Sequence, residues 1–414
     1  MLKARLPVRK LATALIVTAA LLPALAIEQE LQLDYRMNEH IELIPAGPQH
    51  GARLETTVFQ PNGPGPFPLV IINHGKDPGH PNLQQRDRFY HMAHAFVERG
   101  YAVMVPMRQG FANSTGSYHD HGCDMTANGY TQAEDIEDAL AYARAQKWVD
   151  GDRIVIAGQS YGGLAAIALG TQDLPGVRGL INFAGGLRDD SNGCGWRSAL
   201  VSAFAEYGAQ NKVPSLWMYG QNDSLFSPEL VARMHDAFEQ AGGRAQLVEY
   251  APFKRDSHGM LASRDGEKVW LADTMRFLQQ VGMPTKIVYK VPEPPQPQAT
   301  NFAGIGDADA VPFLSENGRR AYREYLTKMT PRAFAVSPSG AWCWAEEGED
   351  PEARALATCS AKSDKPCRLY SVDENVVWNP DLAEKAAVTA SNTPAAAAPG
   401  DGAVGNAAGV TAAN

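Results

Sequence analysis

The chain has little positive charge to spare. Its 414 residues carry 37 Lys and Arg against 46 Asp and Glu, a formal net charge of −9. That balance argues against a general nucleic-acid or anionic-membrane binder, which wants a basic face. Beyond the first 26 residues there is no apolar run of the roughly 20 residues that a bilayer span takes. No internal repeat is present. Cysteine is scarce and odd in number: Cys123, Cys194, Cys343, Cys359 and Cys367. Five thiols cannot all pair within one chain, so at least one is free or intermolecular.

The N-terminus is compositionally separate. Lys3, Arg5, Arg9 and Lys10 precede an apolar run over residues 11–22, followed by Pro23 and then Ala24-Leu25-Ala26. Positive region, short apolar region and small residues at the cleavage positions stand in the order of a secretory signal. Residues 1–26 are therefore expected to be a cleaved signal, with no lipobox cysteine after it. Removing four cations and no anions takes the charge from −9 to −13. The mature protein is expected to be periplasmic or secreted, without a membrane span. Such a compartment permits disulfides. The cysteines fall into an early pair and a late trio, and the expected bridges are Cys123–Cys194 and Cys359–Cys367, leaving Cys343.

Residues 27–289 alternate short apolar strands with amphipathic helices. Strand signals lie at 68–73, 101–106, 153–157, 180–184, 215–219 and 246–250. Helix signals lie at 86–99, 131–148, 164–170, 229–241 and 267–280. Short apolar strands without alternation, separated by helices, mean a mostly parallel sheet covered on both faces. Residues 53–58 do alternate, as an antiparallel edge strand would. Residues 290–300 read as a proline-rich linker. Residues 301–380 read as a small α+β unit, with a helix at 319–326 and strands at 333–344 and 368–378. Residues 381–414 are Ala/Gly-rich, have few large apolar groups and are expected to be disordered.

One motif carries chemistry. Gly158-Gln159-Ser160-Tyr161-Gly162-Gly163 directly follows one strand signal and directly precedes a helix signal. Five residues of the GxSxG pattern are weak evidence alone; between a strand and a helix they read as a nucleophile elbow. Ser160 is the expected nucleophile, and Gly158 and Gly162 leave room for strand and helix to approach. A serine hydroxyl is a poor nucleophile without a base. Acid and base are expected later in the chain, in the order acid then His. Asp223 follows the strand at 215–219, and His258 lies in Asp256-Ser257-His258-Gly259 after the strand at 246–250. The oxyanion hole is expected from the Tyr161 N–H and from the loop after the strand at 68–73, with the Lys76 N–H first and Gly75 next.

The strand ending in His74-Gly75, the elbow, the strand followed by Gly220-Gln221-Asn222-Asp223, and the Asp256 to Gly259 loop together resemble the dienelactone hydrolase-like branch of the α/β-hydrolase superfamily. They also resemble the catalytic domain of prolyl-oligopeptidase-like peptidases. The resemblance covers about residues 50–285. It implies an α/β-hydrolase fold and two-step acyl transfer without metal or organic cofactor. One departure is plain: dienelactone hydrolase proper uses a cysteine nucleophile, and Ser160 stands here. The C-terminal unit is similar to extensions on some exported hydrolases and is expected to be an interaction module.

Weaker signals surround these. His119-Asp120-His121 with Cys123 has the residue types of a metal site, but reads better as a polar loop with a disulfide. Arg108 reads as a brace for its loop. Phe111, Tyr161 and Phe226 read as core more than pocket. Residues 108–130 are the expected partial lid. Three functions follow: a carboxylic-ester hydrolase first, a peptidase with the same triad second, and a non-catalytic envelope-binding protein third. The substrate is a small ester or a peptide. Only about 25 residues separate the signal from the first strand signal, which leaves no room for the N-terminal propeller that accompanies prolyl peptidases.

Overall fold

The computed structural model describes residues 32–380 except 78, 192, 294–295 and 347–349. The expected signal and the Ala/Gly-rich tail lie outside the described residues. Among those described, no helix is long and apolar enough to cross a membrane.

The larger unit is built on eight strands: β1 (His40–Ala46), β2 (Ala52–Phe59), β3 (Phe67–Asn73), β4 (Ala102–Pro106), β5 (Val149–Gln159), β6 (Val177–Phe183), β7 (Ser215–Gly220) and β8 (Ala245–Tyr250). Six helices connect or follow them: α1 (Tyr90–Glu98), α2 (Met125–Arg144), α3 (Tyr161–Leu169), α4 (Trp196–Gln210), α5 (Pro228–Gln240) and α6 (Arg264–Gln280). The strand order is β1-β2-β4-β3-β5-β6-β7-β8. From β4 to β8 all pairings are parallel. β2 is antiparallel to both β1 and β4.

The expected edge strand at 53–58 is therefore one place in from the edge. The true edge is β1, whose residues 40–43 are only partly buried or exposed, with no buried face for a pattern to report. Alternate residues of the central strands feed opposite cores. Leu69, Ile71, Ile154 and Ile156 pack with α2 to α5. Val70, Ile72, Val155 and Ala157 pack with α1 and α6. Burial on both faces is why these strands read as unbroken apolar runs.

Boundaries moved for local reasons. The helix expected from 86 starts at Tyr90, because Phe89 before it adopts φ 46. The helix expected from 131 starts at Met125, where the Asp124 side chain accepts the Ala127 N–H. The proline-rich stretch is packed against α1 in part: Val291 is buried, its carbonyl lies 2.6 Å from His94 Nε2, and its N–H donates to Glu98.

The smaller unit contains α7 (Glu316–Tyr325), β9 (Arg332–Val336), β10 (Trp342–Glu346), α8 (Pro351–Ser360), β11 (Arg368–Val372) and β12 (Asn375–Val376). Its antiparallel sheet has the order β10-β9-β11-β12. The strand expected over 333–344 is two, because Gly340 at φ 85 turns the chain. The stretch 368–378 is likewise a hairpin. α8 had no clear sequence signal, and its core face is short: Ala355 and Cys359 against Ala333 and Ala335. Cys359 is bridged to Cys367, and Cys343 is free.

Candidate active site

The loops at the C-terminal ends of β3, β5, β7 and β8 meet at one edge of the sheet, where open α/β sheets place their sites. Ser160 is the turn between β5 and α3, at φ 54 and ψ −120. Few non-glycine residues adopt such a conformation, and it persists only where the surroundings enforce it. The enforcement is contact. A Cβ on Gly158 would sit 2.1 Å from the Gly162 carbonyl oxygen, and one on Gly162 would sit 2.2 Å from that of Asn73. Only glycine lets β5, α3 and β3 come this close.

Asp223 is buried. Its Oδ1 accepts the N–H groups of Leu225 (2.9 Å) and Phe226 (3.0 Å), and its Oδ2 lies 3.0 Å from His258 Nδ1. The carboxylate is thus held by two backbone donors with its free oxygen on the imidazole. A second network ties the loops. Asp256 Oδ1 accepts both His258 N–H (2.9 Å) and Ser224 N–H (3.1 Å). Asn222 Oδ1 accepts the Phe253 N–H at 2.9 Å, and its amide donates to the carbonyls of Phe253 and Lys254. On the nucleophile side, Gln159 Nε2 donates to the His258 carbonyl at 3.1 Å. Asp223 and His258 are in direct contact, and Ser160 joins them through its neighbour Gln159.

Gly75 lies against the nucleophile: a Cβ there would be 3.2 Å from Ser160 Cβ. Its carbonyl is turned to His74 Nδ1 (2.7 Å) and the Arg108 guanidinium (3.4 Å). In a trans peptide the N–H points opposite to the C=O, so the Lys76 N–H faces away from that brace. His74 Nε2 accepts the Arg108 N–H at 3.0 Å, which leaves Nδ1 as the donor to Gly75. Burial, and after it the Arg108 cation, holds the His74 imidazole well below its usual pKa, so it is neutral. Arg108 also donates to the His74 carbonyl and to Gln132 (2.7 Å each) and lies over the rings of Phe111 and Tyr161. Burial pushes it down to about 10, still a cation at neutral pH. Arg108 braces the loop that follows β3.

Parallel strands from β4 to β8, a strained serine after β5, an acid after β7 and a histidine after β8 decide the fold. The larger unit has the α/β-hydrolase fold. The family model of the X-Pro dipeptidyl-peptidases (S15 family) matches residues 50–192 of this chain. The quorum-quenching protein AidA of Acinetobacter baumannii (strain MDR-ZJ06) is 26% identical over 143 residues, 33% of this chain and 44% of that protein. The chain thus spans less than half the length of that relative. Among solved structures, esterase 2 of Thermogutta terrifontis shares 19% identity at TM-score 0.43, covering 62% of this chain and 100% of its own. A candidate dienelactone hydrolase from Klebsiella pneumoniae shares 17% at 0.42, covering 58% and 98%. Dipeptidyl peptidase 4 of Porphyromonas gingivalis shares 17% at 0.45, covering 58% and 35%. The family-model match lies within residues 50–285, the span over which the sequence resembles dienelactone hydrolase-like proteins.

The other predicted residues fall as follows. Phe111, Tyr161 and Phe226 are buried, and Phe226 packs on the His258 ring at 5.7 Å. Cys123 is bonded to Cys194, tying the loop before α2 to the loop before α4. The thiol of the His119-Asp120-His121 cluster is therefore occupied, and His121 Nε2 lies 2.8 Å from the Thr131 hydroxyl. A cavity of about 560 Å³ opens between the two units, among Arg88, Lys254, Arg264, Glu352 and Asp373. Neither Ser160 nor His258 lines it. Asn222, Asp256 and Gln159 were not singled out in sequence, although each stands beside a residue that was.

Proposed function

We propose that the chain is a serine hydrolase of carboxylic esters with Ser160 as nucleophile, His258 as base and Asp223 as the orienting acid. The observation that carries the reading is the Asp223–His258 contact at 3.0 Å, locked to the strained Ser160 turn through Gln159. His258 Nε2 takes the Ser160 proton as Oγ attacks the carbonyl carbon. The resulting oxyanion is held by the Tyr161 and Lys76 N–H groups and the N-terminal end of α3. The tetrahedral centre collapses, and the leaving alcohol takes the proton from His258. Water then attacks the acyl-enzyme, its proton passing to His258, and the acid and the free serine are released. No step draws on a metal or organic cofactor.

A second reading is a peptidase with the same triad, favoured by the match to the X-Pro dipeptidyl-peptidase model. Fluorophosphonate labelling of the wild type, Ser160→Ala and His258→Ala tests the triad. Hydrolysis of short p-nitrophenyl esters beside aminoacyl and prolyl anilides separates the two substrate classes. Labelling that survives in Ser160→Ala would sink the nucleophile assignment. Turnover of anilides alone would favour the peptidase. Export belongs to the same proposal: N-terminal sequencing of the protein from the cell envelope or medium should begin at Ile27.

A further inference from the structure

The loop that carries His258 is held from the C-terminal unit as well as from its own domain. Lys254 Nζ lies 2.6 Å from Asp373 Oδ2, with Asp265 at 3.2 Å on the other side. Asp373 is itself fixed, accepting the Arg332 N–H at 2.9 Å. Arg255 Nη1 donates to the Leu326 carbonyl at 2.9 Å, and its Nε lies 3.3 Å from Glu374. On the far side of the histidine, a Cβ on Gly259 would meet the Thr330 carbonyl oxygen at 3.5 Å and Pro331 Cδ at 3.9 Å. The base is thus bracketed, four residues before and one after, by the second unit.

The backbone reports the same constraint. Lys254 adopts φ 46, in the left-handed region. That conformation is unfavourable for a non-glycine residue and lasts where neighbours over-determine it. Two ion pairs on its side chain and the Asn222 amide on its carbonyl supply the neighbours. From there the constraint is relayed: Arg255 leads to Asp256, whose carboxylate holds the N–H groups of His258 and Ser224, next to Asp223.

We propose that the C-terminal unit is a positioning element of the catalytic site, with Lys254 and Arg255 as positioning residues that register the His258 loop against Asp373, Glu374 and the Leu326 carbonyl. The inference rests on the triad reading above. A base must be held to within about 0.5 Å of its working place, and the ties from the second unit add to those the loop receives from Asn222, Asp223 and Gln159. The second unit, expected from sequence to be an interaction module, has its partner within the same chain.

The test uses the full chain with Lys254→Ala, Arg255→Ala, Lys254→Arg, Ser160→Ala and the surface variant Arg153→Ala. Turnover is measured per site titrated with fluorophosphonate, beside the thermal midpoint. Lys254→Ala and Arg255→Ala should lose about tenfold in kcat with KM within about twofold, since small misplacements of a catalytic group act on the transition state. Lys254→Arg should recover most of the loss, and Arg153→Ala should match the wild type. Arg255 is half-exposed, so its variant folds and keeps the test decisive. Wild-type kcat per site in both alanine variants, with Ser160→Ala inactive, would overturn the positioning role while leaving the triad standing. So would a lower midpoint with unchanged kcat. A wild type that neither labels nor turns over would overturn the triad and the clamp together.

Discussion

The Asn222 side chain accepts the Phe253 N–H and returns hydrogen bonds to the Phe253 and Lys254 carbonyls, so the residue before the acid is stitched to the loop that carries the base. Asp223 and His258 follow strands that are neighbours in the sheet, but strand pairing ends at Gly220 and Tyr250. Past that point side chains must keep the register. Asn222→Ala should cost about 1–2 kcal/mol of stability, the ordinary toll for partly solvated hydrogen bonds. It should also lower kcat about tenfold. Urea denaturation and steady-state kinetics check the two; full activity with reduced stability would confine Asn222 to a structural role.

Glycine at 162 is demanded by a backbone atom, and glycine at 151 by nothing comparable. A Cβ on Gly162 would press on the Asn73 carbonyl oxygen at 2.2 Å, whereas none on Gly151 would find a neighbour within 4 Å. Gly162→Ala should destabilise by more than about 3 kcal/mol or prevent folding. Gly151→Ala should stay within about 0.5 kcal/mol of the wild type. Expression yield and denaturation midpoints of the pair decide it.

Asp87 lies 4.0 Å from His74, with Gln84 on its carboxylate. Burial, and after it the nearby Asp77, pushes its pKa up to about 7. A carboxyl raised in the folded state keeps a proton that the unfolded chain gives up near pH 4. Its favourable contribution is therefore present below about pH 4 and is lost as pH rises through about 7. Relative to Asp87→Asn, the wild type should lose about 4 kcal/mol between pH 4 and pH 8. Parallel pH profiles for both proteins, measured by chemical denaturation, would refute the shift.

The two disulfides differ in the loop they close. Cys123–Cys194 spans 71 residues and Cys359–Cys367 spans 8. On chain-entropy grounds the first is worth about 4 kcal/mol and the second about 2.5 kcal/mol. Replacing Cys123 and Cys194 together by Ser should therefore lower the midpoint more than replacing Cys359 and Cys367. The reverse order would show that the small unit depends on its bridge more than loop length implies.

Chemistry that is local in the chain was legible in the sequence. The elbow is six consecutive residues between a strand and a helix, because the close approach at the turn demands glycine at 158 and 162. The parallel strands were legible because burial on both faces leaves them uniformly apolar. The motif places of Asp223 and His258, each just after a strand, were legible for the same reason. β1 was not, since residues 40–43 bury no face, and α8 was not, since its core contact is two small residues, Ala355 and Cys359. No local pattern could disclose that Lys254 meets Asp373, 119 residues on, or that Arg108, after β4, braces Gly75 after the neighbouring β3. The sequence by itself determined a hydrolase-type sheet and the residue types of its site. Only the tertiary structure decided what holds that site in register, because ion pairs and buried hydrogen bonds between distant segments come into being when the chain packs.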